Sequence, residues 1–249
     1  MLGFMGDLWK DYLTEDAMKT FREYGYYVMP LRLIDGTKLP KTKMIALNTQ
    51  SCYTMNLLLW MNRDDPANEL SWLEQELKAM EANGEHAIIY GHVPPGDDCM
   101  YNWAVRFKAL MERYQHVVRF NVYGHVHNEM FGLERGFDTK EAFQSHFWTG
   151  SLTTFETNNP SFRVFEMDQE LMVPVKILTY HLDIAGDHTW KYSHEFTVLY
   201  GINDLSPASM NALTTKFKSD EKLALTYLKT KYNGGNDPAL HSCDQGCRD

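Results

Sequence analysis

Two stretches of the sequence decide its fold: Ala87-Ile88-Ile89-Tyr90-Gly91-His92-Val93-Pro94-Pro95-Gly96, and further on Val118-Arg119-Phe120-Asn121-Val122-Tyr123-Gly124-His125-Val126-His127. Each opens on a short apolar or alternating run of strand character and closes on a Gly-His turn. Between them, residues 102–114 read as a helix. Ahead of them, Leu70, Leu73, Leu77 and Met80 recur at three- and four-residue steps, the buried stripe of a helix over residues 66–83. Asp65 is placed to cap that helix, Pro66 suits its first position, and Gly84 supplies a stop. Met44-Ile45-Ala46-Leu47 reads as one more short buried strand. Strand, helix, strand, helix, strand is the pattern of an α/β layered sheet. Ligand sites of such sheets gather at the carboxyl ends of strands, and both Gly-His turns fall there.

A neutral imidazole nitrogen is a common ligand of divalent metals, and two histidines separated by one residue can serve adjacent ions. His125-Val126-His127 alone is a weak signal in a chain with 10 histidines. It gains weight from His92, which sits in a second strand-terminal Gly-His turn, with a helix between the two strands to bring them side by side. The Pro94-Pro95 pair stiffens the loop that follows His92, as a preorganised site requires. Asp97 and Asp98, next to that pair, could orient a ligand or substrate, although a solvated loop is the plainer reading. His86, His116, His146, His181, His188, His194 and His241 have no motif around them and read as surface or structural residues.

Beyond residue 145 the texture changes. Residues 162–167, 172–181 and 195–200 are three strand-like runs in succession, an antiparallel sheet packed beside the first. Helical spacing returns over residues 207–231, with Met210, Leu213, Phe217, Leu223, Leu225 and Leu228, and Gly234-Gly235-Asn236-Asp237-Pro238 marks a loop. The expected organisation is an α/β domain over residues 1–203 and a helical C-terminal region over residues 204–249.

Composition narrows the classes. A formal charge of -9 disfavours nucleic acid, whose binding rests on Lys and Arg neutralising phosphates. The longest apolar stretch, Asn56-Leu57-Leu58-Leu59-Trp60-Met61, is too short to cross a bilayer. The first ten residues carry Asp7 within an otherwise apolar run and lack a basic start, so they do not read as a signal peptide. Cys52, Cys99, Cys243 and Cys247 contain no Cys-x-x-Cys pair. Free buried thiols, a zinc site or disulfides remain open on that count. Cys52 and Cys99 each follow a sheet strand near a loop at the same edge, a placement suited to a bridge.

The two Gly-His turns resemble the last two motifs of calcineurin-like metallophosphoesterases, and more narrowly those of the acid-sphingomyelinase branch. The resemblance extends along nearly the whole chain. It takes in Trp9 with Tyr12-Leu13-Thr14-Glu15-Asp16-Ala17, Gly25-Tyr26-Tyr27, Leu47-Asn48-Thr49, Asp65-Pro66 and Trp72-Leu73. It continues through Ser151-Leu152-Thr153-Thr154 and Asn159-Pro160-Ser161-Phe162-Arg163-Val164-Phe165. It implies a metallophosphoesterase-type layered α/β sandwich, of which this chain is the C-terminal half, followed by a small helical region. His92 and His125 would bind one divalent ion and His127 another, both zinc.

The family's other ligands come from Asp-x-His, Gly-Asp-x-x-Asp and Gly-Asn-His-Glu/Asp motifs, all upstream of the stretch where this chain begins. Gly6-Asp7-Leu8-Trp9-Lys10-Asp11 is one residue too long to be the second motif, and Gly235-Asn236-Asp237 lacks the histidine of the third. No catalytic residue is therefore assigned here, since the general-acid histidine belongs to a missing motif. This chain alone is expected to be inactive. The implied activity is hydrolysis of a phosphodiester, such as sphingomyelin at a membrane surface. Met55 stands where sphingomyelin-cleaving members carry a glutamate, and Phe155 replaces a tyrosine of the loop near their substrate. A nucleotide or other phosphodiester is the enzymatic alternative, and a non-catalytic binding module the other. The resemblance also implies Cys52–Cys99 and Cys243–Cys247 disulfides. Disulfides in turn imply secretion or a lysosome-like lumen, although no Asn-x-Ser/Thr acceptor occurs in the chain.

Overall fold

The structure is a computed structural model that describes residues 1–33, 35–96, 98–155 and 158–233. The chain divides into two compact units, Met1–His125 and Val126–Asp249.

The first unit opens with two helices, α1 (Leu2–Trp9) and α2 (Glu15–Tyr24). Thr14 caps α2 by accepting from the Ala17 amide, and Gly25, at φ +86, ends it in the left-handed conformation that glycine alone adopts without strain. Ala17 and Phe21 of this helix pack with Tyr27 and Ala46, fixing it to the sheet strands that follow.

Those strands are β1 (Tyr27–Arg32), β2 (Lys38–Ala46), β3 (His86–Tyr90) and β4 (Val118–Tyr123). β1 and β2 pair antiparallel, while β2 with β3 and β3 with β4 pair parallel. The crossovers are α3 (Glu69–Asn83) and α4 (Tyr101–Arg113). α3 buries the expected Leu70, Leu73, Leu77 and Met80, and α4 buries Trp103, Phe107 and Met111 at four-residue steps. Parallel strands need a crossover of this kind, so the alternation legible in the sequence is also the topology.

The start of α3 differs from expectation. Pro66 begins a 3-10 turn (Pro66–Asn68), and the helix proper begins at Glu69 because Ala67 and Asn68 take positive φ. Asp65 still caps it from a distance. Its carboxylate accepts from the amides of Leu70 (2.8 Å) and Ser71 (3.0 Å) and from the Ser71 hydroxyl (2.7 Å).

The second unit starts with a hairpin of β5 (Met130–Arg135) and β6 (Ala142–Trp148). A three-stranded antiparallel sheet follows, β7 (Ser161–Met167), β8 (Pro174–Leu182) and β9 (Trp190–Glu195). The third strand of that sheet is residues 190–195. The expected strand at 195–200 is instead a short helix, α5 (Phe196–Tyr200). Phe196 and Tyr200 lie one helical turn apart and are both buried, while Val198 between them faces out. Gly201, left-handed at φ +61, closes the turn.

α6 (Pro207–Phe217) and α7 (Glu221–Lys231) supply the expected C-terminal helices, capped by Ser206 and Asp220. Phe131 of β5 meets Phe196, Phe217 and Tyr227, so these helices share the aromatic core of the hairpin. No helix of the described residues is long and apolar enough to cross a membrane.

Candidate metal and phosphodiester site

The register of β3 against β4 sets Tyr90 opposite Val122, so the Gly-His turns beyond them leave the sheet side by side. The Gly91 amide donates to Val122 O (3.2 Å), and the Gly124 amide to His92 O (3.1 Å). Gly91 has to be glycine, since a Cβ there would stand 2.7 Å from Thr49 Cγ2. Thr49 comes that close because its hydroxyl oxygen accepts from the amides of His92 (3.2 Å) and Val93 (2.8 Å). This buried threonine fixes the backbone that carries His92.

The result brings two of the three expected histidines together. His92 Nε2 and His125 Nδ1 are 3.3 Å apart. Two ligands on a tetrahedral zinc, each about 2.0–2.1 Å from the ion, stand about 3.3–3.4 Å apart. The pair therefore has the spacing of one edge of a metal shell. The other nitrogen of His125, Nε2, faces Asp98 Oδ2 at 3.2 Å. The Tyr53 and His125 rings pack T-shaped at 5.1 Å between centroids. Asp98 thus takes the orienting position open to it in the sequence rather than that of a solvated loop residue. Its adjacency to Pro94-Pro95 was the only signal. Asp97 lies outside the described residues.

His125 and His127 both hold positive φ, +70 and +59. Left-handed backbone in side-chain-bearing residues is uncommon and concentrates where function requires it. His127 lies at the start of the second unit, next to Val126, where its ring packs T-shaped against Phe155 at 5.8 Å between centroids. Met55 is exposed in the first unit, beside exposed Leu57, Leu58, Trp60 and Met61. Among the described residues no group of three or more His, Cys, Asp or Glu is set to hold a metal ion. His92 and His125 fit a cation as part of a shell.

Two loops carry this geometry, and a bridge joins them. Cys52 and Cys99 form a disulfide with Cα atoms 4.8 Å apart. Around it, the Thr54 amide donates to Asp98 O (2.8 Å) and the Met100 amide to Cys52 O (2.7 Å). Tyr53 and Asp98 are thereby held beside His125. Cys243 and Cys247 lie outside the described residues.

Immediately after His127 the chain is anchored by a buried ionic cluster. Glu129 pairs with Arg163 and with His194 Nε2 at 2.8 Å, all three almost wholly buried. Burial alone would raise the Glu129 carboxyl. The Arg163 charge and the His194 hydrogen bond outweigh it and hold the carboxyl down to about 2. Arg163 also donates to Trp148 O at 3.0 Å, tying the hairpin to β7. His194 thus has a structural role, and its motif-poor surroundings are consistent with that.

Comparison with known proteins gives this arrangement a family context. Residues 142–249 match the family described as the acid sphingomyelin phosphodiesterase C-terminal region. "Sphingomyelin phosphodiesterase B" of Dictyostelium discoideum is 29% identical over 249 residues, covering 94% of this chain and 38% of that protein. "Sphingomyelin phosphodiesterase" of Bos taurus is 28% identical, covering 98% of this chain and 39% of that protein. "Cyclic GMP-AMP phosphodiesterase SMPDL3A" of Bos taurus is 30% identical, covering 90% of this chain and 53% of that protein. The chain is similar along nearly its whole length to the sphingomyelin phosphodiesterases, and its residues 142–249 to the C-terminal region of the acid type. It spans about two fifths of the length of the sphingomyelin phosphodiesterases it matches.

Proposed function

We propose that this chain supplies part of the active site of a metal-dependent phosphodiester hydrolase, with His92 and His125 holding one divalent cation and His127 a second. The observation that carries this reading is the 3.3 Å separation of His92 Nε2 and His125 Nδ1 at the carboxyl ends of adjacent parallel strands. When bound, such ions supply Lewis acidity and a water activated near neutral pH, and zinc suits imidazole ligands.

The chain's own residues prepare the site. With Asp98 accepting from His125 Nε2–H, Nδ1 is the unprotonated nitrogen, turned toward His92 Nε2 at 3.3 Å, the tautomer a metal ligand needs. Thr49 holds the His92 backbone, and the Cys52–Cys99 bridge holds Asp98 in place. None of the three histidines is a carboxylate able to bridge two ions.

The substrate in this reading is a phosphodiester whose leaving group is a lipid or a nucleoside. Exposed Leu57, Leu58, Trp60 and Met61, next to the Tyr53 loop, favour approach to a lipid surface such as one bearing sphingomyelin. A nucleotide phosphodiester is favoured instead by Met55, which brings no carboxylate to a cationic headgroup, and by the relative named a cyclic GMP-AMP phosphodiesterase. The Cys52–Cys99 bridge accords with a secreted or lysosomal protein.

Zinc titration of the purified 249-residue chain tests the metal reading. His92→Ala and His125→Ala should each weaken binding at least about tenfold. Unchanged affinity in both variants would end the assignment. With zinc and a chromogenic phosphodiester the chain alone should give no measurable turnover, because losing even one transition-state donor costs about 10²–10³ in rate. Robust, chelator-sensitive hydrolysis would show that three histidines and Asp98 suffice.

A further inference from the structure

Glu69 is a charged residue type placed where charge is costly. It is the first residue of α3, 0% exposed, and no function described above uses it. Its Oε1 accepts from the Asn48 amide at 2.6 Å. Its Oε2 is buried with no hydrogen-bond partner among the described residues. The Ser51 hydroxyl also faces the carboxyl, and the one charged neighbour acting on it is Asp65, another anion. Tyr26 approaches from the turn before β1, its hydroxyl donating to Ala67 O at 2.9 Å. Burial first, then Tyr24, Glu69 and Asp65, push that phenol up to about 12, so it stays neutral. An ionised Glu69 would thus be desolvated, short of one partner and without a cation, whereas a neutral carboxyl loses far less on burial.

What Glu69 holds is the segment under the candidate metal site. Residues 49–51 form a 3-10 turn closed by the Ser51 and Cys52 amides on Asn48 O (2.9 Å) and Thr49 O (3.1 Å). Asn48 is pinned a second time through Nδ2 to Tyr24 O at 2.7 Å. From this turn Thr49 reaches the His92 and Val93 amides, and Cys52 reaches the bridge to Cys99. Glu69 touches neither histidine and acts on both through the turn.

We propose that Glu69 is a positioning residue: as a neutral carboxylic acid it clamps residues 48–52 beneath His92, and its ionisation as pH rises loosens that turn. The direction is fixed by linkage. Burial dominates and pushes the carboxyl from 4.5 up to about 8 in the folded chain, against the hydrogen bonds from Ser51 and Asn48. A raised folded-state value means the native state binds the extra proton. The stability and order it confers are therefore full at acid pH and fade as pH climbs from about 4.5 to about 8. The clamp is strongest in an acidic lumen.

Glu69→Gln, which keeps the shape and cannot ionise, separates this from a merely structural role. In the full 249-residue chain, the melting temperatures of wild type and Glu69→Gln should coincide within about 2 °C at pH 5 and diverge by about 5 °C or more in favour of Gln at pH 8.5. Cys52 and Cys99 are buried, so reduction of their bridge by a water-soluble phosphine reports opening of the turn. Alkylation and peptide mapping at Cys52 should show reduction at pH 8.5 several-fold faster in wild type than in Glu69→Gln, with equal rates at pH 5. Glu69→Ala should be weaker at every pH. Should Glu69→Gln fail to fold, the infrared band of a protonated carboxyl in the wild-type chain decides. It should persist at pH 6.5, where exposed carboxyls are ionised, and vanish by pH 9. Parallel pH profiles for wild type and Gln, or absence of that band at pH 6.5, would overturn the proposal.

Discussion

Arg163 illustrates how one residue can anchor a site it does not enter. Its guanidinium neutralises Glu129, two residues beyond His127, and caps the carbonyl of Trp148. Both side chains are almost wholly buried, so removing one strands the other's charge in a low-dielectric interior. Arg163→Met should cost about 3–5 kcal/mol by thermal or urea unfolding. Arg163→Lys should recover only part of this, since an ammonium cannot span carboxylate and carbonyl as the planar fork does. A loss under about 1 kcal/mol for Arg163→Met would show that the pair contributes little. In the sequence this arginine stood out only through the resemblance of Asn159-Pro160-Ser161-Phe162-Arg163. Its partners, Glu129 and the Trp148 carbonyl, 34 and 15 residues away in the chain, were not legible, because contacts between distant segments leave no periodic trace.

At the scale of elements, the bridge between Cys52 and Cys99 joins the loop after β2 to the loop after β3. It spans a sequence separation of 47, and on the chain-entropy account such a closure stabilises by about 4 kcal/mol. Cys52→Ser with Cys99→Ser should lower the melting temperature by about 10 °C and weaken zinc binding, because Asp98 would lose its anchor. Non-reducing peptide mapping should recover the two cysteines linked. A free Cys52 thiol would contradict the bridge. The helices and parallel strands of this region were readable because each repeats one local pattern several times. α5 was not. Glu195-Phe196-Thr197-Val198-Leu199-Tyr200 alternates like a strand, yet the aromatic cluster of Phe131, Phe217 and Tyr227 takes Phe196 and Tyr200 from one side. The β5–β6 hairpin likewise carries no strand signal in the sequence, since β6 buries Gln144, Ser145 and His146 in succession with Phe147 and shows no alternation.

At the scale of the whole molecule, the proposed phosphodiesterase reading turns on the headgroup. A cationic choline favours a nearby carboxylate or aromatic face. Met55 offers no carboxylate, and Phe155 offers an aromatic ring packed T-shaped with His127. In a full-length enzyme carrying this chain, kcat/KM should favour sphingomyelin over a nucleotide phosphodiester by less than about a hundredfold, the range that one or two pocket contacts command. Met55→Glu should move the ratio toward sphingomyelin. A preference beyond that for the unaltered enzyme would show that these two positions do not govern the choice.

The sequence by itself determined the α/β order of the first unit, the two Gly-His turns at strand ends, and the three histidines as candidates. Those features rest on local periodicity and on motifs that are contiguous in the chain. Only the tertiary structure decided that His92 and His125 stand at metal-ligand spacing, that Asp98 faces the far side of His125, and that Glu69 lies buried beneath the loop holding them. Each of these depends on the register of β3 against β4 or on the packing of one loop over another. Burial and distance across such contacts are set by the whole fold, and no window of sequence encodes them.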